Sequence, residues 1–126
     1  MSLFNLSDKV YAVTGASGAL AGIAARYLVQ SGANVAFISR NQSKLDLAVK
    51  DLGPKAATFT CDVTDSKALK MTFALILERF GHIDGLINGA GGNMPGATIG
   101  PDMSVFDLDF NDYDKVLQLN LSGTLL

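Results

Sequence analysis

Along this chain of 126 residues the apolar positions switch between two periods. Short continuous runs, rich in β-branched and aromatic residues, alternate with longer stretches in which apolar residues recur every three or four positions. Buried strands exchanging with amphipathic helices give this pattern. Val10–Val13 predicts a first strand, ending in Thr14-Gly15. From Gly18 to Ser31, Leu20, Ile23, Ala24, Tyr27 and Leu28 keep helical spacing, and Gly32 stands where a helix would end. Asn34–Ser39 predicts a second strand. Leu45, Ala48, Val49 and Leu52 form the stripe of a second helix, stopped by Gly53-Pro54. Ala56–Thr60 predicts a third strand. Thr64 is placed to cap a third helix with the stripe Leu69, Phe73, Ile76, Leu77 and Phe80, which Gly81 terminates. Ile83–Asn88 predicts a fourth strand, followed by a glycine-rich loop of about twenty residues. A last helix starts near Asp109, with Leu108 and Tyr113 spaced as a hydrophobic staple.

Strands and helices alternating through such short connections imply right-handed crossovers and a parallel sheet covered on both faces. The expected architecture is α/β, a doubly wound parallel sheet of order 3-2-1-4 with its crevice between strands 1 and 4. Residues 1–126 fit one domain on length, with no linker or repeat.

Composition narrows the partners. Apolar residues make up 48% and charged ones 17%, so a packed core is expected rather than disorder. A net charge of −2 gives no reason to expect nucleic acid or an anionic membrane surface. The only cysteine, Cys61, cannot form an internal disulfide, follows a strand, and reads as a small buried hydrophobe. The N-terminus lacks the basic start and apolar stretch of a signal peptide, and no run is long enough to span a membrane, so the expected location is the cytoplasm. No metal site is indicated.

An anion must therefore be held locally, and the first strand–helix turn is the place for it. Thr14-Gly15-Ala16-Ser17-Gly18-Ala19-Leu20-Ala21-Gly22 supplies small residues where a phosphate would approach a helix N-terminus, making Gly15, Ser17, Gly18, Ala19 and Leu20 candidates for phosphate contact. The Gly15-x-x-Gly18 spacing departs from Gly-x-Gly-x-x-Gly, and the same run also serves simply to let helix and strand pack closely. At the end of the second strand, where a dinucleotide's adenosine ribose is met, the chain has Ser39-Arg40-Asn41 and no acid before Asp46. Arg40 suits a 2′-phosphate, with Ser39 leaving room for it, so the cofactor expectation is NAD(P), leaning to NADPH. Its bland alternative is a solvated arginine at a helix entry.

Three further segments carry a family resemblance. Cys61-Asp62-Val63 ends the third strand, Phe80 to Gly91 runs through the fourth, and Leu117-Gln118-Leu119-Asn120-Leu121-Ser122-Gly123-Thr124 sits on the last helix. In this order and spacing they resemble the N-terminal half of the short-chain dehydrogenase/reductase family, with its Rossmann-type fold, over essentially the whole chain. Residues 89–98 and Phe106-Asp107-Leu108 resemble the branch of D-mannonate oxidoreductases and fructuronate reductases. The resemblance implies that Asp62 and Val63 meet the adenine, that Asn88, Gly89, Ala90 and Gly91 line the adenosine ribose, and that Asn120 is a catalytic asparagine holding a water in a proton relay. Asp62 could instead cap a helix, and Asn120 could be a packing polar group. Two departures stand out: Ala19 and Ala21 replace family glycines, and Asn88-Gly89 replaces the commoner Asn-Asn. His82, the only histidine, falls at the wrong end of the fourth strand for chemistry.

The family's Tyr-x-x-x-Lys pair is missing. Tyr11, Tyr27 and Tyr113 are followed four positions on by Gly15, Ser31 and Leu117. The resemblance therefore implies a fragment, inactive alone, of an oxidoreductase acting on a small substrate such as a sugar acid. It also implies a homo-oligomer. A non-catalytic dinucleotide-binding module is the alternative.

Overall fold

A computed structural model describes residues 4–126. The elements are β1 (Val10–Thr14), α1 (Ala19–Gln30), β2 (Asn34–Ser39), α2 (Gln42–Val49), β3 (Ala56–Thr60), α3 (Ser66–Phe80), β4 (Gly85–Asn88) and α4 (Phe110–Leu117). A π-helical turn, Gln118–Ser122, continues α4 into α5 (Gly123–Leu125). The strands form one parallel sheet in the order β3-β2-β1-β4, as the alternation predicts. Tyr11 pairs with both Val35 and Gly85, and Val35 pairs with Ala56, so the strands' carboxyl ends come together at Thr14, Ser39, Thr60 and Asn88.

Alternate residues of β1 and β2 feed two cores. On one face Val13, Val35 and Phe37 pack with Ala21, Ala25 and Val29 of α1 and Leu45 of α2. On the other, Ala12, Ala36 and Ile38 pack with Val63 and with Leu69 and Ile76 of α3. Phe37, Ile38, Leu45 and Ile76 are fully buried, each worth roughly 1.5–3 kcal/mol over exposure. Cys61 is buried and free, as expected.

Several elements differ from the sequence reading. The apolar spacing in α1 marks the wrong face, because Leu20, Ile23 and Tyr27 are exposed and the sheet receives Ala21, Gly22, Ala25 and Val29. The reason is distance. A Cβ on Gly22 would lie 2.9 Å from the Ala16 carbonyl oxygen, so α1 sits too close to the turn for large side chains. Asp65, not Thr64, caps α3, its carboxylate accepting from the Lys67 and Ala68 amides. Leu77, expected in the α3 stripe, is 47% exposed. β4 begins at Gly85 rather than Ile83, because Asp84 turns its carboxylate to the Val10 amide at 2.8 Å. The last helix does start after Asp109, which accepts from the Asn111 and Asp112 amides. Among the described residues, no helix is long and apolar enough to cross a membrane.

Candidate functional site

At the carboxyl ends of β1, β2 and β4 lies a cleft of about 200 Å³, lined by Gly15, Ser17, Gly18, Ser39, Arg40 and Gly89–Gly91, with Ile38, Cys61, Val63 and Leu119 as its apolar floor. Its tightest point is where β1 meets β4. Gly15 has φ +66°, and a Cβ there would collide with the Gly89 carbonyl oxygen. A Cβ on Gly89 would in turn strike the Ala21 methyl. Glycine at 15 and at 89 is thus required by close approach, and Gly89, the departure from Asn-Asn, makes room for Ala21. Thr14 Oγ1 accepts from the Gly89 and Ala90 amides at 3.1 and 3.2 Å, fixing the start of the glycine-rich loop to the end of β1. Sequence reading passed over this threonine, although a buried hydroxyl at a strand end needs such partners.

The N-terminus of α1 opens on this cleft. Gly18 is its N-cap, contributes no side-chain cap and is followed by no acid in the first turn. Asn41, Asp65 and Asp109 each cap their own helices, α2, α3 and α4, with a side-chain oxygen. The first N–H groups of α1 are left without that answer, and they carry the positive end of the helix dipole. Beside them Ser17 Oγ and Ser39 Oγ share a 2.6 Å hydrogen bond.

Asp62 sits at the edge of this region. Its Oδ1 accepts from the Thr64 amide at 2.9 Å and hydroxyl at 2.7 Å. These two donors, the amide above all, hold its carboxyl below the usual range against the opposing effect of burial, and the Arg40 cation adds a lesser lowering. Asn120 is engaged at both ends of its carboxamide. Oδ1 accepts from the Gly92 amide at 3.1 Å, and Nδ2 donates to the carbonyls of Gly92 at 2.7 Å and Val116 at 2.9 Å. The last helix thereby grips the glycine-rich loop one residue past the cleft.

Not every candidate converges. Ala19 lines a shallow groove between α1 and α2, and Leu20 projects outward, 87% exposed. Asn88 lines neither of these. It faces the α3 side, in a hollow of about 300 Å³ with Thr14, Leu69, Phe73, Leu86 and Leu126 among its walls. Strand alternation explains this: Leu86 and Asn88 share one face of β4, whereas Ile87 packs on the α1 side. His82 Nε2 lies 2.9 Å from Asp84 at the far end of the sheet. Among the described residues, no three His, Cys, Asp or Glu side chains gather as a metal site.

The short chain dehydrogenase family profile matches residues 9–126. An uncharacterized oxidoreductase of Bacillus subtilis is 36% identical over 97% of this chain and 48% of its own length. A D-threitol dehydrogenase of Mycolicibacterium smegmatis is 35% identical over 98% of this chain and 46% of its own. Among solved structures, a Haemophilus influenzae protein with bound NAD, provisionally assigned as a D-mannonate oxidoreductase, superposes with a TM-score of 0.86 at 34% identity. It covers 96% of this chain and 48% of that one. The chain thus spans about half the length of the relatives it matches.

Proposed function

The chain belongs to the short-chain dehydrogenase family, and from that premise we propose that it is the cofactor-binding half of an oxidoreductase working between a nicotinamide dinucleotide and a carbonyl or hydroxyl carbon. The carrying observation is the N-terminus of α1, which has no side-chain cap and opens on a glycine-lined cleft, with Arg40 in its wall, at the carboxyl ends of the strands. A dinucleotide's pyrophosphate suits it. The bound cofactor would supply or accept the hydride.

In this reading Gly15, Ser17 and Gly18 face the pyrophosphate, and the first amides of α1, at Ala19 and Leu20, complete its cradle through backbone alone. Ser39 and Arg40 take the adenosine ribose, and Arg40 favours a 2′-phosphate. Asp62 keeps Oδ2 for the adenine amino group while Thr64 occupies Oδ1, and Val63 walls the ring. Gly89, Ala90 and Gly91 bound the cofactor from the β4 side. Asn88 faces away and ends the strand. Asn120, with both ends of its carboxamide engaged, fixes the loop beside the cleft, and the family resemblance gives it a water of the proton relay to hold.

Hydride transfer to a carbonyl needs a proton partner for the oxygen. No tyrosine of this chain is followed four residues on by lysine, so we place that partner outside these 126 residues and expect this chain alone to have no dehydrogenase activity. The likeness to the Haemophilus influenzae protein, together with residues 89–98 and 106–108, supports a sugar acid of the D-mannonate or fructuronate kind as substrate. A single buried, free cysteine suits the cytoplasm.

Gly18→Asp tests the reading. A carboxylate there would cap α1 and occupy the anion site itself. Titration with NADH should show at least a tenfold loss of affinity, about 1.4 kcal/mol, with the melting temperature little changed, since an Asp cap is worth only about a few tenths of a kcal/mol over Gly and its Cβ would lie 3.2 Å from the Gly15 carbonyl oxygen. Undiminished NADH binding by this variant would refute the assignment.

A further inference from the structure

The loop from Gly92 to Asp109 leaves β4 and returns to α4, and it is tied down at two separate points. Asn120 holds the near point. At the far point the Gly96 amide donates to Asp112 Oδ2 at 3.1 Å, and the Asp109 amide donates to the Gly96 carbonyl at 2.9 Å. Gly96 is gripped on both sides, and only glycine allows it. A Cβ there would lie 2.6 Å from Asp112 Oδ2 and 2.9 Å from the Asp109 Cβ. The other carboxylate oxygen, Oδ1, accepts from Lys115 Nζ at 2.9 Å, which keeps the carboxylate charged and its rotamer fixed. Inside the corner, Asn93 Nδ2 donates to Thr98 Oγ1 and that hydroxyl donates to the Met94 carbonyl. Residues 94–98 therefore form a braced corner rather than a free loop.

Topology sets which end of a bound dinucleotide lies on the side of this loop. Ser39 and Arg40 stand at the end of β2, and the strand order puts β2 and β4 on opposite sides of β1. With the adenosine on the β2 side, the reacting ring falls toward β4, where this loop begins.

We infer that Asp112 is a positioning residue for the nicotinamide end of the crevice, acting through Gly96 on the corner formed by residues 94–98. The inference rests on the cofactor reading above. Asp112 touches no reacting atom. Its part is to hold in one place the wall against which the ring is set.

The test compares Asp112→Ala, Asp112→Asn and Lys115→Gln with the parent protein, using NADH as the probe. Deleting the acceptor should speed amide exchange at residues 94–98 by about tenfold or more, the size of one lost hydrogen bond, with the core amides unchanged. Asp112→Asn and Lys115→Gln keep an oxygen facing Gly96 and should retain most of the protection. With NADH bound, Asp112→Ala should change the emission of the reduced nicotinamide toward that of free cofactor while the affinity, set mainly at the pyrophosphate and the adenosine, moves by no more than about threefold. Unchanged exchange at Gly96, or unchanged emission of bound NADH, overturns the inference. So does a parallel fall in melting temperature and affinity in all three variants, which would mark a merely structural contact. Failure of the parent protein to bind either NADH or NADPH would instead refute the cofactor reading on which the inference stands, and the inference would fall with it.

Discussion

At the scale of single residues, the cleft is governed by a few atoms whose neighbours admit no substitute. Gly15 and Gly89 meet backbone to backbone, and Thr14 stitches the two strand ends together above that contact. Arg40 has a different kind of role, because charge rather than space decides it. Asp62 lies within its electrostatic reach, its carboxyl held down first by Thr64 and only then by the arginine. A cation with so light a commitment to protein partners is free to meet a phosphate. Arg40→Asp should accordingly weaken NADPH binding by about ten- to hundredfold, the worth of one charge-assisted contact at roughly 1.5–3 kcal/mol, and spare or improve NADH. Paired fluorescence titrations check it. An equal response of both cofactors would remove Arg40 from any part in choosing between them.

At the scale of elements, the sheet is closed at its far end by Asp84. Its carboxylate accepts from the Val10 amide, stands near Lys9 and pairs with His82, while the Asp84 amide donates to the Val10 carbonyl. The Val10 hydrogen bond comes first in lowering its pKa, burial opposes it, and Lys9 and His82 add to the lowering. A carboxylate whose pKa falls on folding stabilises the fold above its unfolded value, near 3.8, and that contribution is lost as pH drops through the folded value. Asp84→Ala should therefore be less resistant to denaturant at neutral pH, and its stability should fall less steeply than the parent's below about pH 4. Parallel acid limbs would show that the carboxylate contributes nothing. β1 and β2 were legible in the sequence because strands buried on both faces read as unbroken apolar runs, and the half-buried β3 and β4 followed from their alternation with helices through short connections. The inner face of α1 was not. Periodicity finds where large apolar residues lie, and α1 packs instead through Ala21, Gly22, Ala25 and Val29, small or unremarkable letters chosen for close approach. The glycine cleft was legible from its position in the chain. The grip of Asn120 and Asp112 on the loop was not, since it joins residues 28 and 16 positions apart through side-chain hydrogen bonds that leave no periodic trace.

At the scale of the whole molecule, the last helix is apolar on two sides. Leu119 turns inward on the core beside α3. The other side is a stripe spaced three and four residues apart: Phe110 at 78% exposure, Tyr113 at 43%, Leu117 at 40%, Leu121 at 56% and Leu125 at 77%. Phe106, on the neighbouring turn, is 93% exposed. A surface helix that buries one stripe usually shows polar residues opposite it. Leaving this second stripe in water forgoes roughly 1.5–3 kcal/mol per large side chain, comparable in total to the stability of a whole domain. A self-complementary helix stripe is well suited to a twofold contact, in which the same residues face each other across the axis. The expected state is a homo-oligomer joined through α4 and its continuation. Light scattering should then give a mass above that of one chain, and Leu121→Asp, which plants a charge in the middle of the stripe without touching the core, should reduce it to the monomer. A parent protein that is already monomeric, or a Leu121→Asp variant of unchanged mass, would show that a second copy does not cover this stripe.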